Sequence, residues 1–153
     1  MSIDRDAALA LALPEFPVDV ERGRLRFFAQ AIGETDPVFT DLGAARAAGH
    51  RDLPAPPTFV FALALEAPDP FGYLGDLGID LRHILHGEQR FDHHAVVYAG
   101  DRITVRESIV DVYAKSGGAL EFLVKRSEFL RGGETVAIAA STIVVRRPQV
   151  VAA

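Results

Sequence analysis

The chain contains no cysteine. Disulfides, thiolate metal sites and a cysteine nucleophile are therefore excluded, and the composition suits a reducing cytoplasm. It has no basic run or stripe either: 16 Lys and Arg are interspersed with 21 Asp and Glu, for a net charge of −5. Phosphate backbones need a clustered positive footprint, so nucleic acid is not an expected partner. Long apolar runs are also lacking, and none approaches the roughly 20 residues that span a bilayer. The segment from Met1 to Asp6 carries two acids against one Arg before a short apolar run at 7–13. It lacks the basic start and long apolar region of a secretory signal, so a cytoplasmic protein without a membrane partner is expected. Internal repeats and low-complexity linkers are absent. What the chain does have is apolar material: 49% of 153 residues, enough to fill the core of one domain.

Helical patterning dominates the first half and strand patterning the second, which predicts an α+β protein with an antiparallel sheet. Residues 14–18 read as a short edge strand, where proline is tolerated. Asp19 reads as the N-cap of a helix over about 20–31, with Gly33 as its stop. A second helix over about 41–48 begins at Thr40 or Asp41 and ends at Gly49. Three prolines within Leu53–Pro57 exclude regular helix there. The run Thr58-Phe-Val-Phe-Ala-Leu-Ala-Leu65 is apolar on every face, as in a buried helix, with Pro57 suited to its first turn. Residues 67–83, rich in Pro, Gly and Asp, read as a long loop. Strands follow over 88–97, 102–113, 119–130 and 135–146, with turns at 98–101, 116–118 and 131–134. A parity switch in the second of these predicts a bulge near 106–109. In the third, Leu120, Phe122 and Val124 alternate against Glu121 and Lys125. The last, apolar on both parities, is expected to be central.

Residues 32–39 read Ile-Gly-Glu-Thr-Asp-Pro-Val-Phe, between the two helical patterns. This layout resembles the hydration motif of MaoC-like (R)-specific enoyl-thioester hydratases and dehydratases, Gly-Asp-x-Asn-Pro-Leu-His. Two further blocks, from Ala48 to Phe59 and from Leu85 to Asp101, resemble the "FAS1-like dehydratase", or MaoC N-terminal, branch. The resemblance implies a hot-dog fold, a sheet wrapped around a central buried helix. It implies one such domain over 1–153, with a core at about 14–147. That branch is known as the non-catalytic half of double hot-dog enzymes, or as a subunit beside a catalytic MaoC chain. The implied substrates are 3-hydroxyacyl or 2-enoyl thioesters of fatty-acid metabolism. Coenzyme A or phosphopantetheine would enter as part of the substrate, with no separate cofactor.

Carried across residue by residue, the resemblance places Glu34 at the catalytic Asp, Asp36 at the Asn and Phe39 at the catalytic His. Hydration needs a base for water, an acid for the α-carbon and donors for the enolate oxygen. Phe39 can move no proton. Glu34 keeps a carboxylate with about 1.5 Å more reach, where displacements near 1 Å cost on the order of 100-fold. Pro57 falls where the family offers a backbone N–H to the thioester oxygen, and it has none, so a donor would shift to Thr58 or Phe59. Glu34 and Asp36 are the candidate catalytic pair of a degenerate motif, their alternative role being turns and caps. Phe39, Pro57, Thr58, Phe59, His86, Gly87 and Gln89 are the candidate substrate contacts. His93 and His94 are adjacent and point to opposite faces of a strand, His50 and His83 read as loop residues, and no metal site is expected. Three readings follow: an impaired subunit whose MaoC partner supplies Asp and His, a homodimeric thioester-binding module, and a stand-alone hydratase using Glu34 with His86.

Overall fold

Among the described residues ten helices and strands follow one another: α1 (Arg5–Leu9), β1 (Phe16–Asp19), α2 (Arg22–Ala31), α3 (Leu42–Ala47), α4 (Val60–Ala64), α5 (Gly72–Asp76), β2 (Ile84–His93), β3 (Arg102–Lys115), β4 (Leu120–Arg131) and β5 (Glu134–Arg146). They are described by a computed structural model over residues 2–146. The strands form one antiparallel sheet in the order β1-β3-β4-β5-β2. β5 is thus internal, and its two apolar parities have a sheet face on each side to occupy.

A 3₁₀ turn at Pro57–Phe59 runs straight into α4, so residues 57–64 make one short continuous helical segment. Pro57 supplies the fixed φ of its first turn. Phe59, Val60, Leu63 and Ala64 bury against Ile103, Val105, Phe129, Ala137 and Ala139 of the sheet. Phe59 is 2% exposed, and its ring meets Phe28 of α2 edge-on at 5.3 Å. Burial of such a ring stabilises the fold by about 3 kcal/mol. This is the hot-dog arrangement, a sheet curled over a helix. The helix is not buried all round, however: Phe61 is half-buried and Leu65, just past its end, is 42% exposed. A second apolar cluster, with Ile3, Tyr73, Leu74, Ile109 and Leu123, lies under α1 and α5.

Several sequence expectations need correction. Asp19 is the last residue of β1 and pairs with Arg102 at 2.9 Å, while α2 starts after Glu21 without a side-chain cap. Residues 67–83 are not one loop, because the Tyr73 and Leu74 side chains anchor α5 in the second cluster. β2 lies four residues earlier than expected, since 94–97 leave the sheet after His93. The β3 bulge falls at Val110, where the register jumps from Ile109 to Asp111.

The alternation in β4 resolves opposite to the usual rule that the apolar parity faces the core. Glu121, Leu123, Lys125, Ser127 and Phe129 point inward and are buried, while Phe122 and Val124 lie on the half-open outer face. Each buried polar group has a partner from a distant element. Glu121 accepts from the Ile3 N–H at 2.7 Å, and Lys125 pairs with Glu107 of β3 at 2.8 Å. Among the described residues no helix is long and apolar enough to cross a membrane.

Candidate functional site

The octet 32–39 folds as a chain of local turns. Gly33 adopts φ 73°, which only glycine enters without strain, and the Glu34 N–H then returns to the Ala29 carbonyl at 2.9 Å. One Glu34 carboxylate oxygen accepts from the Thr35 and Asp36 N–H groups, both at 2.9 Å. Asp36 accepts from the Val38 N–H at 3.0 Å and caps a 3₁₀ turn over Pro37–Phe39. Asp41 caps α3 through the Ala44 N–H. Both candidate carboxylates therefore hold backbone donors of their own segment. Phe39 is half-buried beside them.

An apolar cleft lies elsewhere, between the exposed side of α4, α5 and the inner face of β2, β4 and β5. Its volume is about 320 Å³. Phe61, Leu65 and Phe71 form one wall, and Ile84, Leu85 and Ile143 another. His86 lines it, lies against the Phe61 ring at 5.5 Å, and has its Nε2 3.1 Å from the Glu88 carbonyl. Glu34, Asp36 and Phe39 do not line this cleft. Gly87 is the extra residue of a β2 bulge between His86 and Glu88, and a Cβ there would meet Val144 Cγ2 at 2.7 Å. Gln89 accepts from the Ser141 hydroxyl at 2.5 Å. Pro57 lines a second, more open cleft of about 380 Å³ with Val60, His93 and His94. Thr58 is exposed and Phe59 is in the core, and neither lines either cleft.

A polar strip crosses the inner face at the base of the first cleft. The register sets Ile109, Lys125, Ser141 and Gln89 in one row and Glu107, Ser127 and Ala139 in the next. Glu107 accepts from Lys125 at 2.8 Å and from the Ser127 hydroxyl at 2.7 Å. Lys125 Nζ also sits 5.1 Å from the centre of the Tyr73 ring. Burial, with the Glu107 charge adding to it, pushes the Tyr73 phenol well above its usual range, so it remains a protonated donor. The sequence reading missed this strip. Its one visible signal was the pair Glu121 and Lys125 within a strand, which reads more simply as a solvent face.

A third polar group ties the loop after α3 to the sheet. Asp101 accepts from the Tyr98 N–H at 2.9 Å, from Arg131 at 2.7 Å and from Arg51. Burial opposes its ionisation, but these donors outweigh it and hold the carboxyl below the usual range. Arg51 lies over the Tyr98 ring at 4.5 Å, and the Tyr98 hydroxyl meets His50 Nδ1 at 2.9 Å. Among the described residues no three His, Asp or Glu are grouped to hold a metal ion.

Residues 12–139 match the family described as "FAS1-like, dehydratase domain region". The chain belongs to that family. It is similar to the UPF0336 protein SCO4636 of Streptomyces coelicolor, with 36% identity over 95% of this chain and 97% of the relative. Among solved structures it resembles a chain of the C-terminally truncated HadBC (3R-hydroxyacyl-ACP dehydratase) complex from Mycobacterium tuberculosis. That match has TM-score 0.74 and 30% identity, over 84% of this chain and 90% of the other. A MaoC-like dehydratase matches with TM-score 0.79 and 22% identity, over 93% of this chain but 44% of its own length. The FAS1-like chain thus has the hot-dog fold of MaoC-like dehydratases and corresponds in size to about half of the longer one.

Proposed function

We propose that this chain is the acyl-holding subunit of a hydratase/dehydratase assembly acting on 3-hydroxyacyl and 2-enoyl thioesters. A partner MaoC chain supplies the Asp and His that move protons. The observation that carries this reading is the separation of two features. The motif segment has Phe39 where a proton carrier is needed and commits Glu34 and Asp36 to backbone turns. A preformed apolar cleft stands apart from it on the inner sheet face. Such a chain can bind and orient an acyl group, yet it has no pair poised to activate water at the motif. The coenzyme A or carrier-protein pantetheine arm would arrive as part of the substrate, and no other cofactor is called for. The similarity to a chain of a two-component 3-hydroxyacyl-ACP dehydratase supports a heterodimer over a homodimer. A stand-alone hydratase built on Glu34 and His86 is disfavoured, because His86 lines the cleft and Glu34 does not.

The test follows hydration of a 2-enoyl thioester by loss of its enoyl absorbance, with this chain alone and with a candidate MaoC partner. Negligible turnover alone and robust turnover with the partner are expected. Robust turnover alone, abolished by Glu34→Gln, would sink the reading. Some gain of rate in Phe39→His would indicate that the motif is a decayed form of an active one.

A further inference from the structure

Two clefts meet at one side chain. The acyl cleft of about 320 Å³ has Tyr73 in its lining. A second cleft of about 340 Å³ lies between the segment at 12–16 and the segment at 67–76, and Tyr73 lines that one too. Among the described residues no other is common to both linings. Beyond Tyr73 the walls are again apolar, with Leu13, Phe16, Pro68 and Pro70. The Lys125–Glu107 pair continues the partition on the sheet side, Lys125 lining the first cleft and Glu107 the second.

The two sides of this partition are built differently. Lys125 and Glu107 stand on the paired strands β4 and β3, whose register fixes them. Tyr73 stands on α5, a helix of five residues. It is only 6% exposed, so its ring fills the space between the clefts. The Lys125 ammonium sits 5.1 Å from the ring centre, and the ring packs in the cluster with Leu74, Ile109 and Leu123.

An alkyl chain entering the first cleft gains about 4-fold in affinity for each methylene taken out of water. A methylene occupies roughly the 30 Å³ that a water molecule takes up in the liquid, so the cleft holds on the order of ten carbons. A longer chain would have to lift Tyr73 out of its cluster or leave its end in water. Either outcome cancels the gain from one more methylene.

We propose that Tyr73 is the residue that sets the acyl length this chain accepts, by closing the first cleft against the second. This rests on the acyl-holding reading above and adds a specificity-determining residue to it. The cleft beyond Tyr73 stays out of reach of the acyl chain until that ring is removed.

The test titrates the full chain by calorimetry with acyl-pantetheines from hexanoyl to tetradecanoyl. Affinity should rise by about 4-fold per carbon and level off near decanoyl. Tyr73→Ala joins the two clefts, and in it the rise should continue to tetradecanoyl. Tyr73→Leu keeps an apolar contact with the cluster, and should move the break the same way by a smaller amount if the alanine variant does not fold. In the unsubstituted chain, decanoyl-pantetheine carrying a diazirine at its last carbon should label Tyr73 or Lys125. Affinity that rises without a break, a break unmoved in a folded variant, or labelling that misses both residues would overturn the proposal and leave the acyl-holding reading standing. Binding of none of the series would overturn both.

Discussion

Asp36 shows how a residue at a catalytic position of a family can be held by backbone work. Its carboxylate caps the 3₁₀ turn through the Val38 N–H. Asp36→Ala should therefore lower stability by about 1 kcal/mol in urea unfolding. It should leave the rate of an assembly with a catalytic partner unchanged. Asp101 has more at stake, since Tyr98, Arg131 and Arg51 all donate to it and its side chain is 4% exposed. Asp101→Ala would remove the acceptor shared by three donors, of which Arg131 keeps the Val96 carbonyl. With both arginines partly solvated, a loss of about 2 kcal/mol is expected, read as a lower urea midpoint. Glu34 and Asp36 were legible as turn and cap residues because Asp-Pro chemistry is local. The roles of Asp101 and Lys125 were not, because Arg51 and Arg131 lie 50 and 30 residues from Asp101, and Glu107 reaches Lys125 from another strand.

At the scale of elements, α4 was the most legible piece, since an apolar octet after Pro57 has few other uses. Which side of it stays open was not legible: Phe59 and Phe61 are identical residues two positions apart, one in the core and one in the cleft. Phe59→Ala should cost about 3–5 kcal/mol, whereas Phe61→Ala should cost clearly less and should weaken acyl-pantetheine binding. Thermal melts and calorimetry on the two variants separate these effects. Gly87 belongs to this scale as well. It is the bulge residue of β2, and a Cβ there would press on Val144 Cγ2 and approach the Thr142 carbonyl at 3.2 Å. Gly87→Ala should destabilise by about 1–3 kcal/mol, checked by urea unfolding, and should disturb the neighbouring His86. Which face of β4 turns inward was not legible for a related reason. Its inward parity carries Glu121 and Lys125, whose burial is compensated by partners such as the Ile3 N–H and Glu107.

The whole molecule carries its carboxylates in a way that fixes its response to acid. The Arg22 hydrogen bond, against a smaller opposing effect of burial, lowers Asp52 to about 2. Asp80, chiefly through Arg82, and Asp101 are also held below the usual range. An unfolded Asp titrates near about 4, so in the folded state the ionised form is favoured and supports folding above that pH. This support is lost as pH falls through the folded value near 2. Urea midpoints should thus be flat at neutral pH and drop between about 4 and 2, with Asp52→Asn removing part of the drop.

The sequence by itself determined the order of α2, α3, α4 and the five strands, the internal position of the last strand and the loss of a proton carrier at Phe39. These depend on neighbours within a few residues, on periodicity, or on a side chain's own chemistry. Only the tertiary structure decided where the acyl cleft lies and what closes it. That wall is assembled from Tyr73, Glu107, Lys125 and Ser127, brought together by strand register and the docking of α5. Register is a property of paired strands, so no local pattern could announce it.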